Sequence, residues 1–331
     1  MRKTTKILLL TAALAACAAA AVLASGAPLT SHPVAPAALG QPSSSSELEA
    51  VIDRPGRMRV ETIVAADWEV PLDGLLNLEH PRAQAAGLQD RSEKIQIYFH
   101  VLRHPTQGTF IVDSGVERAV KSAPERSAIR GVVARFMQLD AMQVHTDTAS
   151  WLATLKAPLQ GVLLTHLHLD HVSGMPDIPK GTPIYAGPGE TQERDLLHFA
   201  VRPTIDRALA GHAPIQEWRF VADPDGRLPA VVDVFGDREL FAISVPGHTR
   251  GSTAFVARTT EGAVLMTGDA SHTDWGWQHG VEPGSYSRDR SASARSLASL
   301  KALAERHPHM RILLGHQPLA GTPPPSKQAK G

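Results

Sequence analysis

The segment Thr165-His166-Leu167-His168-Leu169-Asp170-His171-Val172-Ser173-Gly174 constrains this chain more than any other. Four ligand-type side chains fall within six residues, directly after the strand-like run Gly161-Val162-Leu163-Leu164. On a loop leaving a strand, His166, His168, Asp170 and His171 converge on one small volume. Neutral imidazole and carboxylate are the donors that zinc and other first-row divalent ions prefer. A lone histidine here would be an exposed turn residue; this density, closed by Gly174, points to a metal site.

Three downstream pieces repeat the construction. Gly247-His248 follows an apolar run at 240–245, Gly268-Asp269 ends one at 263–267, and Gly315-His316 ends one at 311–314. Each strand delivers a glycine, which permits close backbone approach, and then one ligand-type residue. Singly these are weak signals; in this order after the first motif they form one pattern. Further strands are expected at 95–102, 108–112, 161–165, 182–186 and 253–257, rich in branched and aromatic residues and bounded by Gly, Pro or Asp. Helices are expected at 128–138, 148–155, 191–199 and 291–305, the last carrying Leu297, Leu300 and Leu303. Strands mixed with helices indicate a layered α/β or α+β domain.

From about residue 90 to 320 the chain resembles the metallo-β-lactamase superfamily of hydrolases. The resemblance implies an α+β, four-layer αββα sandwich with a site at the edge where two sheets meet. It assigns His166, His168 and His248 to one divalent metal, and Asp170, His171 and His316 to a second. Asp269 resembles the bridging carboxylate. Zinc is the implied cofactor at both positions. Two such ions, about 3.5–4 Å apart, hold a bridging hydroxide that attacks an electrophilic carbon or phosphorus. Asp170 is placed by the analogy to orient that nucleophile and shuttle a proton. Asp113-Ser114-Gly115 is either a plain β-turn or a support for the ligands, and Ser252 reads as structural, since nothing around it resembles a nucleophile elbow.

Within the superfamily, His171 after Asp170 stands where the commonest zinc β-lactamases carry Arg, which weighs against β-lactam hydrolysis. No C-terminal His-x-Tyr segment of the glyoxalase II kind is present. The branch most resembled is that of the N-acyl homoserine lactonases, where Gly-Asp-Ala opens the bridging motif and Tyr follows three residues after the Asp. Here Gly268-Asp269-Ala270 is present but His272 takes the Tyr position, and Ser252 stands where another His is common. His272 is either a hydrogen-bond donor in the Tyr role or a surface-loop residue. Trp275 and Trp277 either wall a pocket for an acyl or aromatic group or pack their loop onto the core. The insertions at 116–158 and 188–229 are long enough to cap the site. The reading is a hydrolase of a lactone or other ester-like small molecule. The alternatives are a phosphodiester, sulfate ester or β-lactam substrate, an iron-dependent oxidoreductase, or a catalytically silent surface lipoprotein.

Lys+Arg and Asp+Glu both number 33, and Arg2, Lys3 and Lys6 precede an apolar run with no acid. A basic nucleic-acid binder is therefore excluded. Residues 1–26 read as an export signal, with Leu14-Ala15-Ala16-Cys17 resembling a lipobox and Ala24 and Gly26 offering a second cleavage point. A periplasmic protein, membrane-attached through a lipidated Cys17 or an uncleaved anchor, or free, is expected. Cys17 is the only cysteine, so no internal disulfide and no cysteine nucleophile are available. Residues 27–46, poor in charge and rich in Ala, Pro and Ser, read as a flexible tether, 47–321 as the catalytic domain and 322–331 as a polar tail.

Overall fold

Two sheets form the centre of the molecule. The computed structural model describes residues 26–321, 323 and 325–327. The larger sheet has eight strands in the order Val34–Pro36, Ile215–Glu217, Ile184–Ala186, Leu159–Leu163, Gly108–Val112, Ser92–His104, Arg59–Pro71 and Gln143–Val144. The smaller has six: Arg311–Leu313, Gly262–Met266, Thr253–Thr259, Leu240–Ser244, Val231–Asp233 and Gln41–Ser43.

Alternation along each strand dictates how they stack. In Leu240–Ser244, Leu240 and Ala242 join Phe110, Val112, Leu163 and Phe255 in a core between the sheets. Phe241 and Ile243 point the other way, onto Leu297, Leu300 and Leu303 of the helix Arg290–Arg306 and Leu48 and Ile52 of Ser45–Ile52. A third core lies on the outer face of the larger sheet, where Phe99 and Ile111 meet Trp151 and Ile205 from helices. Three cores between four layers make the αββα sandwich. Because side chains alternate with period two, a one-residue slip of Leu240–Ser244 would exchange Phe241 and Ile243 with Leu240 and Ala242 between two cores of different shape, which fixes the register through packing.

Several expectations need correction. Residues 27–46 are not a free tether: Val34–Pro36 pairs with Ile215–Glu217, and Gln41–Ser43 with Val231–Asp233, so this stretch adds an edge strand to each sheet. Its low charge suits that role, and Ser44 caps the following helix in a capping box with Glu47. The C-terminal tail is also used, since Ser326 bonds to Thr62 and Val64 and Lys327 Nζ lies 2.8 Å from Asp67. The long strand Arg59–Pro71, paired along its length with Ser92–His104, has no counterpart in the sequence reading. The expected helix at 191–199 is instead irregular chain with a short strand Arg194–Asp195, and the helix begins at His198. Residues 1–25, with Cys17 and the export signal, lie outside the described residues. Among the described residues no helix is long and apolar enough to cross a membrane.

Candidate metal centre

His166, His248, Asp269 and His316 sit three or four residues beyond strand ends, Asp170 and His171 lie on the short helix Leu169–Val172 that follows His168, and the two sheets bring these connections together. Thr253 of the smaller sheet donates its backbone N–H to the Thr165 carbonyl at 2.8 Å, and Gln96 of the larger sheet donates to the His316 carbonyl at 2.9 Å. These bonds fix the sheets against each other at the site. His166, His168, His248 and Asp269 form one group whose ligand atoms all lie within 4.8 Å of one another, and Asp170, His171, Asp269 and His316 form a second. Asp269 belongs to both. Its Oδ2 is 3.3 Å from the Nε2 of His171, His248 and His316 and 3.6 Å from that of His166.

The outer nitrogens of the rings are already committed. His316 Nδ1 lies 3.0 Å from the Gln96 carbonyl, and His171 Nδ1 lies 2.8 Å from Asp113 Oδ2. A carbonyl or carboxylate accepts only, so each Nδ1 carries the proton and each Nε2 lone pair faces the site. Asp113 is therefore a ligand support and not a plain turn. Its carboxylate also accepts the Thr165 N–H at 2.8 Å and the Thr165 hydroxyl at 2.9 Å, tying two adjacent strand ends. Its φ of 60° is the strained conformation that aims it there.

Packing around Asp269 leaves no slack. A Cβ on Gly315 would come within 2.3 Å of Asp269 Oδ1, so only glycine lets His316 follow its strand at this distance. Gly247, at φ 140°, would drive a Cβ into the Ser293 backbone nitrogen at 2.1 Å.

The electrostatics divide the cluster. Burial, the largest influence, holds His166 and His248 well below the usual histidine range and His168 at about 4. These three are neutral donors ready for a cation. Burial acts the same way on His171 and His316 but is outweighed by Asp269 and the other nearby carboxylates, so both are raised. Burial would raise Asp269, yet His316, His272, His171 and His166 together hold it well below the carboxylate range. Among the described residues, His171 Nε2 and Asp269 Oδ1 are buried without a hydrogen-bond partner. Buried polar atoms are rarely left so, and a divalent ion on each side of Asp269 would satisfy them. The donor set fits two such ions.

His272 is not a surface-loop residue. It is 2% exposed, its Nδ1 lies 2.9 Å from the Leu75 carbonyl, and its Nε2 lies 3.1 Å from Asp269 Oδ2. It thus enters the site in the same orientation as His316. Trp277 is a correction: it is buried among Leu297, Leu300 and Ala270, with Lys301 over its ring, and offers no free wall to a substrate. Trp275 is half-buried, stacked on His279 at 4.2 Å. Ser252 is structural, bonding Thr249 at 2.7 Å beside His248.

Two contributors were missed. Glu190 is fully buried in the 188–229 insertion, and it accepts the Leu167 and Gly251 N–H groups and the Thr249 hydroxyl at 2.8–2.9 Å. It thereby staples the His166/His168 loop to the His248 loop. Burial pushes its carboxyl up to about 7. Burial, with Asp73 and then Asp170, pushes the hydroxyl of Tyr286, 41% exposed, up to about 12. Neither residue sits in a recognisable motif.

Comparison with known proteins agrees with this geometry. The family model for the metallo-beta-lactamase superfamily matches residues 95–316. The N-acyl homoserine lactonase AttM of Azorhizobium caulinodans is 30% identical over 252 residues, 72% of this chain and 87% of that one. The AttM of Agrobacterium fabrum is 28% identical over 235 residues, 68% and 83%. A gamma-lactamase, MBL2, of Gibberella moniliformis is 27% identical over 172 residues, 49% and 70%. Among solved structures, a quorum-quenching N-acyl homoserine lactone lactonase superposes with a TM-score of 0.56 at 16% identity, covering 80% of this chain and 93% of that one. An N-acyl homoserine lactone hydrolase with N-hexanoyl-L-homoserine at its catalytic metal centre gives 0.54 at 16%, covering 78% and 93%. The chain belongs to the metallo-beta-lactamase superfamily, as a metal-dependent hydrolase near its lactonase branch.

Proposed function

We propose that this protein is an exported dinuclear zinc hydrolase that opens a lactone or similar ester-like ring. The observation that carries the proposal is Asp269 Oδ2 at the centre of the cluster, facing imidazoles of both ligand groups at 3.3–3.6 Å. A carboxylate so shared suits two cations better than one. His166, His168 and His248 would hold one ion, Asp170, His171 and His316 the other, with Asp269 between them. When bound, the ions acidify water and polarise the substrate carbonyl.

The chain's own groups supply the rest. Asp170, only partly buried and 3.3 Å from His316 Nε2, stands where it can orient water and carry a proton to the leaving oxygen. His272 occupies the place where the lactonase branch carries Tyr, and its Nε2 faces Asp269. Export is proposed from the basic n-region and the apolar run that follows it. Lactone substrates are proposed from the lactonase and gamma-lactamase relatives, both of which are named for cyclic substrates.

Proton release by metal-loaded protein tests this reading, with short- and long-chain acyl homoserine lactones set against a phosphodiester, a sulfate ester and a β-lactam. Fast ring opening that chelator abolishes is the expected result. Turnover of one of the other three, with none of the lactones, would overturn the substrate class.

A further inference from the structure

The first described residues pair with the segment 194–198. Gly26 accepts a hydrogen bond from Arg194 Nη2 at 2.7 Å, Ala27 and Pro28 pair with Asp195 and Arg194, and His198 Nδ1 meets the Ala27 carbonyl at 3.1 Å. The residues that follow this pairing form one of two exposed apolar runs among the described residues, the other being Val132 and Phe136 of the helix Gly131–Phe136. Leu196 and Leu197 are 62% exposed and Phe199 is 46% exposed, three large hydrophobic side chains within four residues. Contiguous apolar surface of this kind marks a contact with something apolar.

The same segment is fastened to the metal centre. Glu193 accepts the Arg250 N–H at 2.9 Å and pairs with Arg288 Nε at 3.0 Å. Arg288 in turn donates its backbone N–H to the His248 carbonyl at 3.0 Å and its Nη1 to the Arg194 carbonyl at 2.9 Å. The segment that carries the patch is therefore tied, two residues before Leu196, to the His248 loop.

What lies upstream says what covers it. Residues 7–24 are almost entirely apolar, and Cys17 stands in a lipobox-like context. Cys17 is nine residues from Gly26, a reach of at most ~30 Å. Since residues 27–46 are folded into the sheets, no long tether separates an anchor from the domain.

We infer that Leu196, Leu197 and Phe199 rest on a lipid bilayer, to which the N-terminal apolar segment holds the domain, so that the rim of the metal centre faces the membrane. Three side chains of this size suit the headgroup–acyl boundary, where apolar faces sit beside basic residues. Arg194, exposed next to the patch, is a basic residue at its edge, while Arg288 is paired with Glu193. A site placed this way takes substrate from the lipid phase, which favours amphiphilic molecules with an acyl chain. The inference rests on the export reading and not on the identity of the reaction.

The test uses the full chain carrying Cys17→Ser and Leu196→Cys, labelled with a nitroxide and reconstituted in vesicles of phosphatidylethanolamine and phosphatidylglycerol. A label at exposed Glu305→Cys is the control. The expected result is collision with oxygen several-fold more frequent than with a water-soluble nickel chelate at residue 196, and the reverse at residue 305. Four outcomes overturn the inference. Cys17→Ser leaves the apolar run 7–24 as the anchor under test, so protein that does not float with the vesicles is not held by that segment. A label as open to the chelate as the control has no bilayer contact. Shielding from both reagents with density-dependent dipolar broadening means that a second copy covers the patch. Shielding from both without broadening means that the chain's own residues cover it.

Discussion

Asp269 Oδ2 has five imidazole nitrogens within 3.6 Å, a crowding that neutral side chains alone would not hold together. Its support runs outward through named groups, and each can be removed singly. Asp113 fixes the His171 ring, so Asp113→Asn should weaken metal affinity by about 10–100-fold with the fold retained, read by competition with a chromophoric chelator. Unchanged affinity would make Asp113 a turn residue after all. Glu190→Ala leaves two buried backbone donors, Leu167 and Gly251, unpaired at about 1–3 kcal/mol each, while the Thr249 hydroxyl keeps Ser252, and should lower both metal affinity and the melting temperature. Glu190→Gln keeps one acceptor and should fall between the two. A Glu190→Ala protein with wild-type affinity would show that the two ligand loops hold themselves.

At the level of elements, the reading of the sequence succeeded where a strand is apolar throughout. Gly108–Val112 and Leu240–Ser244 are buried on both faces, so their signal is continuous. Arg59–Pro71 carries Glu61, Asp67 and Glu69 among its apolar residues, lies next to the sheet edge and kinks at Val64/Ala66, which breaks that signal. Residues 27–46 misled because their partners lie some 180 residues away, and pairing at that range leaves no local mark. The ligands were legible because they cluster in the short connections that leave strands, His166, His248, Asp269 and His316 three or four residues past a strand end. Glu190 and Tyr286 stand in irregular chain and were not. The helix Arg290–Arg306 follows its apolar spacing closely, and Leu300 is its most buried leucine together with Leu303. Leu300→Ala should cost about 2–5 kcal/mol in urea unfolding. A loss under ~1 kcal/mol would mean that this helix contributes little to the second core.

For the whole molecule, the sandwich does two things at once: three cores give stability, and their common edge collects residues from 165 to 316 into one site. Buried histidines couple that stability to pH. Burial, with Arg311 and His171, holds His100 at about 3, far below the usual 6.5. A histidine kept neutral by folding contributes stability that is present above pH 6.5 and is lost as pH falls towards 3. The slope is at most ~1.4 kcal/mol per pH unit for one such group. In metal-free protein, His100→Asn should lose stability less steeply than wild type between pH 6.5 and 4, read from urea midpoints. Parallel slopes would remove His100 from the account.

Elemental analysis of wild-type protein and the Asp269→Ala variant, both refolded with excess zinc and freed of unbound ion, tests the central claim most directly. The account predicts two ions per wild-type chain, and the loss of metal and hydrolysis together in Asp269→Ala. A single ion in the wild type, or an Asp269→Ala protein that keeps both ions and full activity, would contradict a site built around that carboxylate.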